Sequence, residues 1–209
     1  VGDAADAGVC DVNINNPRSK EFLANLASIE VEDAKPKTWR DLARAGMKEA
    51  INLAENLNKD KAENIILFIG DGMNIQTVVG SRILKGQKRD MPGEEGYLSF
   101  EKFPYAGMSK TYNVDSQVAD CGSSATAILT GVKTKNRMIG LNGRAVPGDC
   151  SSSAGNEVPS ILTEAKQAGW SVGIVTTAPL VGETPAAAYA HTPDDEWRFE
   201  VPTDQAPCQ

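Results

Sequence analysis

The sequence predicts an α/β fold built around a mainly parallel sheet, and three observations carry that expectation. Residues 65–69 form a continuous apolar run, Ile-Ile-Leu-Phe-Ile, closed by Gly70, the pattern of a central strand buried on both faces. A helical pattern follows over about 75–84, and a second helix–strand pair, 159–168 then 171–177, repeats the alternation. The hydrophobic share of 41% over 209 residues allows a sizeable core, and one domain is the expectation at this length.

Taken in order, residues 1–36 read as an irregular N-terminal leader with one short helical piece around 19–28. From 37 to 57 the apolar residues Trp39, Leu42, Ala43, Met47, Ala50, Ile51, Ala54 and Leu57 keep helical spacing. Arg40, Asp41, Lys48 and Glu55 fall on the opposite face, so this amphipathic helix is expected to pack on its own domain. Asp71 follows the first strand at its carboxyl end, where ligands collect in open α/β sheets. By position alone it is either a metal ligand or an ordinary helix N-cap.

The run 120–129, Asp-Cys-Gly-Ser-Ser-Ala-Thr-Ala-Ile-Leu, reads as a helix opening at Cys121. Backbone N–H groups at such an end favour an anion such as phosphate. Two readings of the thiol stay open there: an activated nucleophile, or a centre that has lost its original chemistry. Ser123 and Ser124 read as first-turn helix residues. His191 is the one histidine, and no Ser–His–Asp arrangement accompanies it.

The net charge of −7 argues against nonspecific nucleic-acid or anionic-membrane binding, since a counter-ion-releasing basic face is lacking. No apolar run approaches membrane-spanning length. The start Val-Gly-Asp-Ala-Ala has no basic and apolar leader pattern, so any signal peptide is expected to have been removed. No Asn-x-Ser/Thr acceptor occurs, and four cysteines alone do not fix the redox compartment.

From about Trp39 onward the chain resembles the alkaline phosphatases, especially the animal type. Asp120 and the Gly-Ser-Ser-Ala-Thr-Ala that follows Cys121 resemble the family's phosphorylated-serine motif, with Cys121 standing where the family has Ser. Supporting stretches include 64–73, 82–88, 103–105, 109–115, 130–133, 155–157, 171–177 and 189–192. The resemblance implies a three-layer α/β sandwich of which residues 37–209 are the N-terminal portion only. A C-terminal remainder, whether continuous or a separate chain, is therefore expected.

The same resemblance implies zinc and magnesium cofactors, a secreted or cell-surface setting, and a homodimer or an association with a C-terminal chain. Membrane anchoring would come only through the missing C-terminal part. Cys150 and Cys208 match a disulfide-bonded pair. Closing that loop is worth about 4 kcal/mol in the chain-entropy model. Cys10 is left as a free thiol or an intermolecular link.

Asp71 matches the carboxylate bridging zinc and magnesium, and Thr184 matches a hydroxyl ligand of magnesium. Gly182 stands where relatives carry His or Asp and offers no side-chain ligand. Asp195 takes the place of the arginine that clamps phosphate. A unit charge pair at about 4 Å is worth roughly 4 kcal/mol at an effective dielectric near 20, so this exchange reverses a large term. Arg198 is close in sequence, but its spacing points it elsewhere. The cysteine also lacks the Cys-x-Pro-x-Arg context that sulfatases use to make formylglycine.

Substitutions at Cys121, Gly182 and Asp195 together imply a family member with little or no phosphatase activity, acting as an extracellular binding, carrier or structural protein. The enzyme alternative is a metal-dependent phosphomonoesterase that uses Cys121 as its nucleophile.

Overall fold

A computed structural model describes residues 17–58 and 60–202. The chain divides into two compact units, one ending at Gly107 and the other beginning at Met108, a division that the sequence does not mark.

The first unit opens with α1 (Pro17–Asp33), where the sequence predicts only a short helical piece in an irregular leader. Residues 1–16 of that leader lie outside the described residues. The correction has a simple cause: 17–33 contains no internal Gly or Pro, so nothing stops the helix once Pro17 has started it. α2 (Pro36–Glu55) also starts on a proline, whose missing N–H costs nothing in a first turn. It lies beside α1, and the Trp39 indole N–H donates to Asp33 O at 2.7 Å. None of its residues is buried, and Trp39, Leu42, Met47 and Ile51 remain exposed, so its contact with α1 leaves much of the apolar face uncovered.

α3 (Ile75–Gln87) matches the predicted helix and runs one turn further. Asn74 caps it by accepting the Thr77 N–H at 2.8 Å. Glu101, at the end of a short 3-10 turn over Ser99–Lys102, pairs with Arg82 of α3 and accepts the Leu98 amide at 2.7 Å. That fork holds the Glu101 carboxyl below its usual range, chiefly through the Arg82 hydrogen bond.

The second unit is built on α4 (Cys121–Thr130), α5 (Ile161–Gln167) and the single turn α6 (Glu183–Ala186). α4 packs on α6 and, less extensively, on α5. Ala125, Leu129, Ile139, Ala186, Ala187 and Ala188 form its main core, and Met138, Leu141 and Ala145 form a second cluster. Alanines at the contact let the two helices approach closely. The loop 138–142 is pinned by antiparallel bridges, Ile139 to Thr192 and Leu141 to Glu157. Ser160 caps α5 and donates its hydroxyl to Ala188 O at 2.6 Å, joining α5 to the segment after α6.

Among the described residues no strand ladder forms at 65–69 or 171–177, where the sequence predicts central strands. Ile65, Ile66, Leu67 and Phe68 are exposed, and Val175 is fully so. The apolar run is the right composition for a buried strand, but a parallel strand exists only through neighbours distant in sequence. Composition supplies the face and not the partner.

Candidate functional site

Asp120 organises the start of α4. Its Oδ2 accepts the Gly122 N–H at 3.2 Å and the Ser123 N–H at 3.4 Å, and its Oδ1 accepts the Ser123 hydroxyl. The same Oδ2 accepts the backbone N–H of Arg137 at 3.2 Å, tying the loop after α4 to the helix start. Ser123 is 1% exposed and is also reached by Asn113 Nδ2 at 3.3 Å. Its hydroxyl is therefore part of the cap, as a first-turn residue should be. Cys121 sits exposed at the first position of the helix.

Asp195 lies in the loop that follows Ile139's partner Thr192, and its amide donates to Arg137 O at 2.8 Å. Its side chain is only 13% exposed. Burial and the neighbouring Asp120 charge raise its carboxyl above the ordinary aspartate value; Arg137 opposes them, and Asp194 and Glu183 reinforce them. Asp195 thus lies within the field of a second carboxylate, Asp120.

Arg137 is the residue that sequence reasoning missed. Its Nη2 lies 2.9 Å from Asp194 Oδ1 and 3.2 Å from Glu196 Oε2, and its Nε lies 3.5 Å from Asp195 Oδ1. The pairing spans 57 residues to Asp194, so no local motif announces it. Its backbone carries a signal of another kind, a φ of 65° at a non-glycine position. Arg198 pairs with Glu183, so its guanidinium is held at α6. Asp120, Glu183, Asp194, Asp195 and Glu196 therefore outnumber the two arginines around the start of α4.

Gly182 is the N-cap of α6, and its carbonyl accepts the Ala186 N–H at 2.9 Å. A Cβ built there would stand 3.0 Å from Pro179 O, a tight contact that a shift of a few tenths of an ångström would relieve. Thr184 is half-buried in the first turn of the same helix. Asp71 is exposed in the first unit, just before Gly72 at φ 69°. Among the described residues no group of three or more His, Cys, Asp or Glu side chains is arranged to hold a metal ion. Position 182 gives no side-chain donor, whereas Asp71 and Thr184 each carry an oxygen that could serve a cation.

His191 Nδ1 donates to Gly140 O at 2.7 Å, which fixes its ring to the loop. Cys150 is buried, whereas Cys208 and Cys10 lie outside the described residues. No helix among the described residues is long and apolar enough to cross a membrane.

A family profile described as alkaline phosphatase matches residues 62–207. The alkaline phosphatase of Gadus morhua is 48% identical over 187 residues, covering 88% of this chain and 39% of that protein. The tissue-nonspecific isozyme of Homo sapiens is 49% identical over 162 residues, covering 78% of this chain and 31% of that protein. The solved alkaline phosphatase of the Antarctic bacterium TAB5 aligns over 55% of this chain and 30% of its own at 29% identity, with a TM-score of 0.43. The chain thus spans about a third of the length of the curated relatives it matches.

Proposed function

The chain belongs to the alkaline phosphatase family, and from that premise we propose that it is a member whose phosphate centre has lost catalysis and that it serves as an extracellular binding, carrier or structural protein. One observation supports this most directly: Asp195, in the place of the phosphate-clamping arginine, is seated beside Asp120 at the start of α4. A phosphate dianion approaching Cys121 would meet carboxylates where transfer chemistry needs positive charge. Gly182 adds a second loss, because it provides no side chain to a magnesium shell.

The rest of the reading follows from the same family membership. Residues 65–69 and 171–177, which form no ladder among the described residues, become strands of the family's sheet-centred sandwich once the rest of that sheet is present. Cys150 pairs with Cys208, and the protein is secreted or held at the cell surface. Association with a second copy or a C-terminal chain completes it. Any zinc is held by Asp71 together with side chains of the C-terminal remainder.

The test is hydrolysis of p-nitrophenyl phosphate at alkaline pH by the full-length protein, with zinc and magnesium supplied. Turnover near background is expected. A rate within about tenfold of ordinary alkaline phosphatases would overturn the proposal. The exposed Cys121 keeps the enzyme alternative specific, since a phosphomonoesterase working through it would accumulate a thiophosphoryl adduct on that residue.

A further inference from the structure

The carboxylates around the start of α4 repel one another, yet Asp195 is held among them with little exposure. Something must offset the cost of keeping it there. The candidate is on the loop 135–139, not on the element that carries Asp195.

We propose that Arg137 is a positioning residue that seats Asp195 beside Asp120 and so gives this centre its anion-repelling character. The inference rests on the non-catalytic reading above. Arg137 grips the segment 194–196 by every route open to it. Its guanidinium reaches Asp194, Asp195 and Glu196. Its carbonyl accepts the Asp195 amide at 2.8 Å, and its own amide donates to Asp120 at 3.2 Å. One residue thus joins both carboxylates through main chain and side chain together.

The backbone argues that this placement is maintained at a cost. A left-handed conformation disfavours a branched-out side chain relative to glycine. Arg137 holds φ at 65° nonetheless. The groups facing Asp195 are Asp120 at the start of α4, Glu183 at the start of α6, Asp194 beside it and Arg137 opposite. Arg137 is the cation that lowers the carboxyl, while Arg198 donates to the Asp195 carbonyl at 3.4 Å and pairs with Glu183; removing Arg137 leaves the influences that disfavour the charged carboxylate.

The experiment compares the full-length protein with Arg137→Gly and Arg137→Lys. Glycine suits the left-handed backbone, keeps the backbone N–H bond to Asp120 and removes the whole side chain with its guanidinium. Lysine keeps the charge without the fork. The Asp195 carboxyl carbon is followed by NMR through a pH titration, with thermal melting as a check on folding. Asp195 is expected to titrate at higher pH in Arg137→Gly and to return toward the unmodified protein in Arg137→Lys. An unchanged titration in Arg137→Gly overturns the proposal, as does a lysine variant that behaves like glycine. Neither result depends on p-nitrophenyl phosphate turnover, so failure here is distinct from failure of the non-catalytic reading.

Discussion

The buried hydroxyl of Thr126 accepts the backbone N–H of Gly140 at 3.0 Å while donating to Gly122 O at 2.9 Å. Thr126 is 0% exposed. A single side chain therefore connects the interior of α4 to the loop carrying Ile139 and Gly140. That loop in turn receives Thr192 and His191.

Thr126→Val keeps the shape and removes the acceptor. The stranded Gly140 N–H should cost about 1–3 kcal/mol, the usual penalty for a buried unsatisfied donor. Urea unfolding of the variant measures it, and a change below about 0.5 kcal/mol would show that the amide finds another partner.

Gly140 and Gly131 both hold left-handed backbone, at φ 65° and 72°, but differ in their surroundings. A Cβ on Gly140 would lie 2.1 Å from Ala190 O, whereas nothing lies within 4 Å of one on Gly131. Gly131→Ala should cost about 1–2 kcal/mol from backbone conformation alone. Gly140→Ala should cost clearly more, because the Ala190 carbonyl must move and the Ile139–Thr192 bridge moves with it. Equal melting temperatures for the two variants would contradict this.

Asp195→Asn gives a pH-dependent effect whose sign is fixed by the direction of its shift. The folded carboxyl is raised above its unfolded value, so the folded state binds the proton more tightly. Ionisation of Asp195 therefore opposes folding as pH rises through that window, and the burden disappears below the unfolded value. Asparagine should stabilise the protein at neutral pH and lose that advantage in acid. Melting temperatures measured from pH 3 to pH 7 test it, and a pH-independent difference would remove the titration argument.

Asp195→Arg restores the charge that relatives are expected to carry. Inorganic phosphate should then bind at least about tenfold more tightly, because a repulsive partner becomes an attractive one. Calorimetry with phosphate reads the change. Turnover should stay low while Cys121 and Gly182 remain.

The helices were the most legible part of the sequence. Asn74, Ser160 and Asp120 each cap a helix through local contacts, and local chemistry is what a sequence displays. The cysteine, glycine and aspartate at 121, 182 and 195 were equally visible as residues. Arg137 was not, because the partners of its side chain are carboxylates 57 or more residues away. The apolar runs 65–69 and 171–177 show the opposite limit, a legible composition whose ladder depends on non-local neighbours. α1 exceeded its predicted length because the sequence within 17–33 contains no breaker.

Cys121 stands on the open side of α4, while Gly122 and Ser123 behind it are buried and held by Asp120. The bonds by which Asp120 caps the helix run to the backbone of 122 and 123 and to the Ser123 hydroxyl. A different side chain at position 121 leaves those cap bonds in place, so the helix start can persist while the group it presents changes. The scaffold and the reactivity at this point are separately heritable, which makes α4 a natural place for a protein to change its occupation.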